Sequence, residues 1–379
     1  MKKYRTLIIL TIVSSVFIQT GCTWFDSVYS AVTGIVGLSD TATVISKTAQ
    51  IRTSYAVVAA DLLEVKRGDR LDMLDQVEFE KVLWYRVRAR DESNTEGWIE
   101  AQHVITSETL SKSQNLAEGF KALSPQAAGQ LRNKSNLRLA PDMNQENVLF
   151  KLASGSNFEI MDWKFVPKQE LPDVDDSTKG EQSKLNRTRS EEIESAKVAG
   201  EPEKLDEKYD IWYLVKLDPS VSPAPAGWLF GRQVELQVPS EIVFFQANNR
   251  KFVTWQRLDS ETATVNSGRA ATPGNWVILT RTNIVKAIDG VEPDFDGILV
   301  LAFDKYDQSY YTVWRTTGEV WGLLPLKTEG VGDNKTFTIQ LRHPEGRMEE
   351  KRFVVYKDKS RLKVTPPEDI AQFQQARSR

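Results

Sequence analysis

Cys22 is the only cysteine among 379 residues, so no disulfide forms within the chain and no thiolate cluster can hold a metal. A spare thiol in an exported chain is open to oxidation, and Cys22 stands apart from such a thiol because it closes an apolar run. Other chemistry-bearing types are scarce. The two histidines, His103 and His343, fall in different predicted domains. A serine triad needs a histidine near its serine and aspartate, and His343, followed by Pro344 in a predicted hairpin, reads as a surface turn residue. HExxH spacing, a glycine-rich phosphate loop and histidine-rich metal spacing are absent from the sequence. Cys22 is the one residue a cysteine–histidine peptidase could use, and it stands at the end of that apolar run, ahead of the predicted domains. Glu292, Asp294 and Asp296 stand close together ahead of Gly297 and could offer oxygen ligands to calcium. Their spacing fits no full EF-hand and lacks its terminal glutamate, so an exposed acidic turn is the ordinary reading. No catalytic residue, metal or cofactor is expected, which leaves aromatic side chains as the candidates for binding.

The elements that would carry those residues begin with an export signal. Lys2, Lys3 and Arg5 precede an apolar run from Leu7 to Ile18, followed by Thr20-Gly21-Cys22. That order is expected of a signal peptide, and the run is short of the about 20 residues a membrane-crossing helix needs. Residues 1–22 resemble the bacterial lipoprotein signal, whose last small residue precedes the lipidated cysteine. Gly21 and Thr20 fit, whereas Gln19 stands where an apolar residue is usual. The resemblance implies several acyl chains on Cys22, enough for stable anchoring. Thr23, in place of an aspartate, implies the outer membrane facing the periplasm. Over all 379 residues the composition is that of a soluble globular protein, and a formal net charge of −3 argues against nucleic-acid binding.

Short β-rich runs start near Thr41: Val44-Ile45, Ala49 to Ile51, Ala56 to Val58, Leu62 to Val65, Leu71 to Leu74, Trp84 to Val87 and, after a polar loop, Gly97-Trp98-Ile99. The order then repeats. Asn136-Leu137-Arg138 echoes Gln50-Ile51-Arg52, and Gly155 echoes Gly68. Trp212 to Val215 echoes Trp84 to Val87, and Gly227-Trp228-Leu229 echoes Gly97-Trp98-Ile99. This pattern of an "IR" or "LR" strand, a glycine turn, a "WYxV" strand and "GW" resembles the bacterial Src-homology-3-like (SH3b) domain. It covers residues 41–105 and 130–237. In the wider family the first aromatic of the third motif faces outward, which implies binding through Trp84, with Arg86 on the same strand face, and through Trp212. Trp98 and Trp228 read as structural. Residues 106–129 are a linker with a helix over Ser107 to Leu123, and the charged stretch 167–209 is expected to be a disordered insertion.

Residues 240–365 hold seven or eight further strands with short turns, an antiparallel β-barrel or sandwich. Residues 366–379 read as a polar tail. The expected whole is mainly β: two small SH3-like barrels followed by that third domain. The expected function is a membrane-anchored, non-catalytic binder of peptidoglycan or an envelope protein. The alternative is a ligand-carrying or assembly lipoprotein, with a cavity lined by residues from Trp276 to Trp321.

Overall fold

The computed structural model describes residues 41–168, 208–246, 250–259, 273–331 and 334–375. Cys22, the signal segment and nearly all of the insertion at 167–209 lie outside them. The chain divides into two compact units, Met1–Lys112 and Ser113–Arg379. Both are built mainly of antiparallel β-sheet.

In the first unit, β1 (Thr41–Val44), β2 (Thr48–Arg52), β3 (Asp61–Lys66), β4 (Arg70–Phe79), β5 (Val82–Ala89), β6 (Glu96–Glu100) and β7 (Val104–Thr106) form one sheet in the order β3-β2-β6-β5-β4-β1-β7. Side chains alternate across the pleat, and the inner set of Ile51, Val65, Leu71, Val87, Ile99 and Val104 is buried as one core. Ala56 to Val58, expected as a strand, instead form a turn-rich loop between β2 and β3.

Helix α1 (Ser107–Glu118) follows, ending just before Gly119 rather than running to Leu123. The second unit then opens with β8 (Ala127–Leu131), β9 (Ser135–Arg138), β10 (Val148–Leu152), β11 (Asn157–Pro167), β12 (Tyr209–Lys216), β13 (Ala226–Phe230) and β14 (Val234–Leu236). Their order, β10-β9-β13-β12-β11-β8-β14, is that of the first sheet. The repeat holds to the register. Arg52 stands opposite Trp98 as Arg138 does opposite Trp228, and Val87 opposite Gly97 as Val215 does opposite Gly227. Even the irregularities recur, with a register shift at Leu74 in β4 and at Met161 in β11. In each, the next residue, Asp75 or Asp162, accepts from the backbone N–H that follows it, at 2.8 Å. The glycine of "GW" is required by close strand approach. A Cβ at Gly97 would lie 2.5 Å from the Arg52 carbonyl, and one at Gly227 would lie 2.5 Å from Leu137. The insertion replaces the tight turn of the first copy: β4 and β5 close from Phe79 to Val82, whereas β11 and β12 pair as far as Pro167 and Tyr209.

The rest of the second unit is a sandwich, one of the two architectures expected. One meander is β15 (Lys251–Arg257), β16 (Trp276–Arg281), β17 (Gly297–Asp304) and β18 (Ser309–Arg315). After the short β19 (Glu319–Val320), the other is β20 (Gly322–Val331), β21 (Asn334–Arg342), β22 (Met348–Asp358) and β23 (Arg361–Thr365). Val277, Leu279 and Val300 from the first sheet meet Phe337, Ile339 and Phe353 from the second in one core. The segment expected as a polar tail belongs to this core, which corrects that expectation. Ile370 and Phe373 are buried in it, and β24 (Gln374–Gln375) pairs with β19. Two apolar residues three apart outweigh the polar residues around them.

Buried hydrogen bonds join the second curled sheet to the sandwich. Gln126 is fully buried; its side chain accepts from the Leu326 N–H at 2.8 Å and donates to the Leu326 carbonyl at 3.1 Å. Gln256 Nε2 donates to the same carbonyl at 2.9 Å.

Candidate binding face

On the outer face of the first sheet, Trp98 stands between Arg52 and Arg86, its register partners on β2 and β5. The Tyr55 ring meets the Trp98 ring edge-on at 5.1 Å between centroids and lies 5.2 Å from the Phe79 ring. All three aromatics are half-buried, so each keeps ring surface open to solvent. A charged ladder runs beside them. Glu96 accepts from Arg86 at 3.2 Å and from Arg88 at 2.6 Å. Its carboxyl is held below the usual range by the Arg88 hydrogen bond first, then by the charges of Arg88 and Arg86. Exposed pairs of this kind add little stability, but they keep a fixed charge pattern beside the aromatic surface. Flat rings flanked by guanidinium groups can stack on, and donate hydrogen bonds to, a polar ligand such as a peptide.

The same face of the second copy is closed. Trp228 is 5% exposed and Trp212 is 2% exposed, packed with Met161, Leu214 and Phe120. Leu116, Ala117 and Leu123 complete the cover, which comes from the C-terminal half of α1 and the turn after it. The buried Ser113 hydroxyl fixes the helix, donating to the Ala226 carbonyl at 2.6 Å and accepting from the Ala226 N–H at 3.1 Å. Two paired positions explain the difference. Leu214 and Phe230 in the second copy stand where the first has Arg86 and Glu100. An apolar face calls for a cover, and a charged one does not.

The predicted contacts therefore change. Trp84 and Trp212 lie on the outer strand face, as the family likeness implied, but at 6% and 2% exposure both indoles are covered and neither is open to a ligand. Arg86 is exposed, as a binding contact must be. Trp98, which read as structural, is the open aromatic, while Trp228 is the structural one. Tyr55 and Phe79 were not singled out by the sequence pattern. Their only signal was aromatic character at the end of a strand and in an otherwise apolar loop.

The acidic set does not form an exposed turn. Arg281 donates to Glu292 at 2.9 Å and to the Pro293 carbonyl, with its guanidinium 4.8 Å above the Phe165 ring. Asp296, 2% exposed, accepts from the Thr282 N–H and hydroxyl. Asp294 accepts from the Leu324 N–H at 2.9 Å and from the Trp163 side chain. Burial pushes its carboxyl up to about 7, and the nearby Asp162 carboxylate acts in the same direction. Each carboxylate thus has its own protein partners, and among the described residues no group of acidic, histidine or cysteine side chains converges as a metal site. His343 is also not a surface residue. It is 9% exposed, with its ring edge-on to Phe373 at 5.2 Å, although it does sit in a hairpin turn.

Neither the protein-family models nor the curated proteins contain a match to this chain.

Proposed function

We propose that the chain is a non-catalytic envelope lipoprotein, anchored through Cys22, that binds peptidoglycan or a partner protein through the Trp98 face of its first SH3b-like copy. The observation that carries this reading is the contrast between duplicates: Tyr55, Phe79 and Trp98 keep open ring surface, while the matching face of the second copy is sealed by α1. The described residues contain no helix long and apolar enough to cross a membrane, and the anchor would be the acylated N-terminus. A ligand-carrying sandwich has less support. Phe295, Phe337 and Phe353 fill the space between the sheets, and the Trp276 and Trp321 side chains are themselves buried.

Co-sedimentation with purified, protein-free peptidoglycan sacculi tests the proposal. The wild-type chain should pellet in high salt, and a Tyr55→Ala/Trp98→Ala variant should stay in the supernatant. Pelleting by both would remove the aromatic face from the reading. Pelleting by neither would remove peptidoglycan and leave a protein partner.

A further inference from the structure

The loop between β2 and β3 is unusual for an exposed turn. Residues Tyr55 to Ala60 read Tyr-Ala-Val-Val-Ala-Ala, without a charged side chain, and Val57 and Val58 are 78% and 94% exposed. Single exposed apolar residues are common on soluble proteins; two adjacent at the tip of an uncharged loop are a patch that needs an occupant. Leu62 just after the loop, and Val82 and Leu83 at the start of β5, are exposed as well. The Tyr55–Phe79 ring contact ties the loop to that hairpin end.

We infer that this loop is a membrane-contact element that dips Val57 and Val58 into the bilayer surface. The inference rests on the anchored-lipoprotein part of the proposed function. Three observations choose a bilayer as occupant. Four carbonyls of the loop, those of Ala56, Val57, Ala59 and Ala60, are satisfied from within, which lowers the cost of bringing the loop to the hydrocarbon boundary. The Ala60 carbonyl accepts from the Thr53 N–H at 2.9 Å and the Ala56 carbonyl from the Ala59 N–H at 3.0 Å. Arg52 Nη2 donates to the Val57 carbonyl at 3.2 Å and to the Ala59 carbonyl at 3.1 Å. Next, a cationic side chain stands directly behind the apolar tip: the Arg52 guanidinium bonds the Val57 and Ala59 carbonyls, where it can meet lipid phosphates. Last, the tether is short. Residues 23–40 separate Cys22 from β1, and a chain of that length reaches at most roughly 60 Å. The first copy is therefore held at a bilayer at high effective concentration, where even a small apolar tip adds to the hold of the acyl chains.

The test uses the full chain purified from membranes and reconstituted into vesicles of phosphatidylethanolamine and phosphatidylglycerol. A nitroxide is placed at Val58→Cys and, as a control on the exposed β5–β6 loop of the same copy, at Glu92→Cys. Collisional access to oxygen, which concentrates in hydrocarbon, is compared with access to a water-soluble nickel complex. The oxygen-to-nickel ratio at position 58 should exceed that at position 92 by about tenfold, and Val57→Asp should abolish the difference. Equal ratios at the two positions would overturn the inference. So would a label at 58 shielded from both relaxants, since a second copy or another protein would then cover the loop. The mass of the Cys22 peptide is read on the same sample. An acylated Cys22 with a nickel-exposed label refutes the loop contact alone, whereas an unacylated Cys22 refutes the anchor.

Discussion

Replacing Asp294 by asparagine should flatten the dependence of folding stability on pH between about pH 4 and 8. Asp294 lies where the second curled sheet meets the sandwich, between the Leu324 N–H, the Trp163 side chain and the charges of Asp162 and Arg281. Burial is the largest cause of its raised pKa of about 7. In the unfolded chain the carboxyl returns to about 4. Below pH 4 both states hold the proton and nothing is lost. Above it, the unfolded state releases its proton first, so stability falls as pH rises, until the folded carboxyl also ionises near 7. Three units at about 1.4 kcal/mol each make the full loss about 4 kcal/mol, with about 2 kcal/mol of it arising between pH 5.5 and 8. Asp294 keeps a partly accessible edge, which makes these upper figures. Asp162 and Asp296 are also raised by burial, and contribute a residual slope of the same sign that the substitution leaves in place.

The assay is urea unfolding of wild type and Asp294→Asn by tryptophan fluorescence, at pH 5.5 and pH 8. Asparagine keeps an acceptor oxygen for Trp163 and Leu324 and never ionises. The variant should therefore lose less stability than wild type across that interval, and should be the more stable protein at pH 8. Parallel pH profiles would show that Asp294 is already ionised in the folded protein, and that burial does not govern its proton.

Two further substitutions test packing. Phe120→Ala opens the cover over the second copy and should cost about 3–5 kcal/mol, with a red-shifted emission as Trp212 and Trp228 meet water; urea titration and emission spectra read both. Phe373→Ala should cost a similar amount, because the ring fills the sandwich core beside His343; an unchanged unfolding midpoint would return this segment to the status of a tail.

The repeat was legible because its constraints are local and recur. The "GW" glycine must let one strand cross close to the next, and the "WYxV" strand must alternate inner valine with outer tryptophan, so both leave the same letters twice. What covers an outer face was not legible from the motif, since it depends on a segment that lies outside it. Trp228, the counterpart of Trp98, is buried because the C-terminal half of α1 and the turn after it pack on its copy's apolar outer face. The C-terminal segment was missed for a related reason. Ile370 and Phe373 sit in a short 3-10 turn, too brief for helical or strand periodicity to show. The acidic set misled because three carboxylates within five residues resemble an exposed loop until Arg281, nine-tenths buried and stacked on Phe165, is seen to face them.

The two copies show how one scaffold can hold a closed and an open form of the same face. Laying a helix over the first copy would strip water from Arg86, Arg88 and Glu96, and charged groups removed from water are rarely repaid by their own pairing. In the second copy Leu214 and Phe230 remove that obstacle, and Ser113 supplies hydrogen bonds to both polar groups of Ala226. The second copy thereby becomes a wall for α1 and, on another side, a support for the sandwich through Gln126. The first copy keeps its charges and its half-open rings. Any ligand seated there must leave Glu96 paired or supply a replacement cation, and must offer flat or polar groups to Trp98 and Tyr55. A wholly apolar ligand meets neither condition, so the ligand proposed for this face is a polar one.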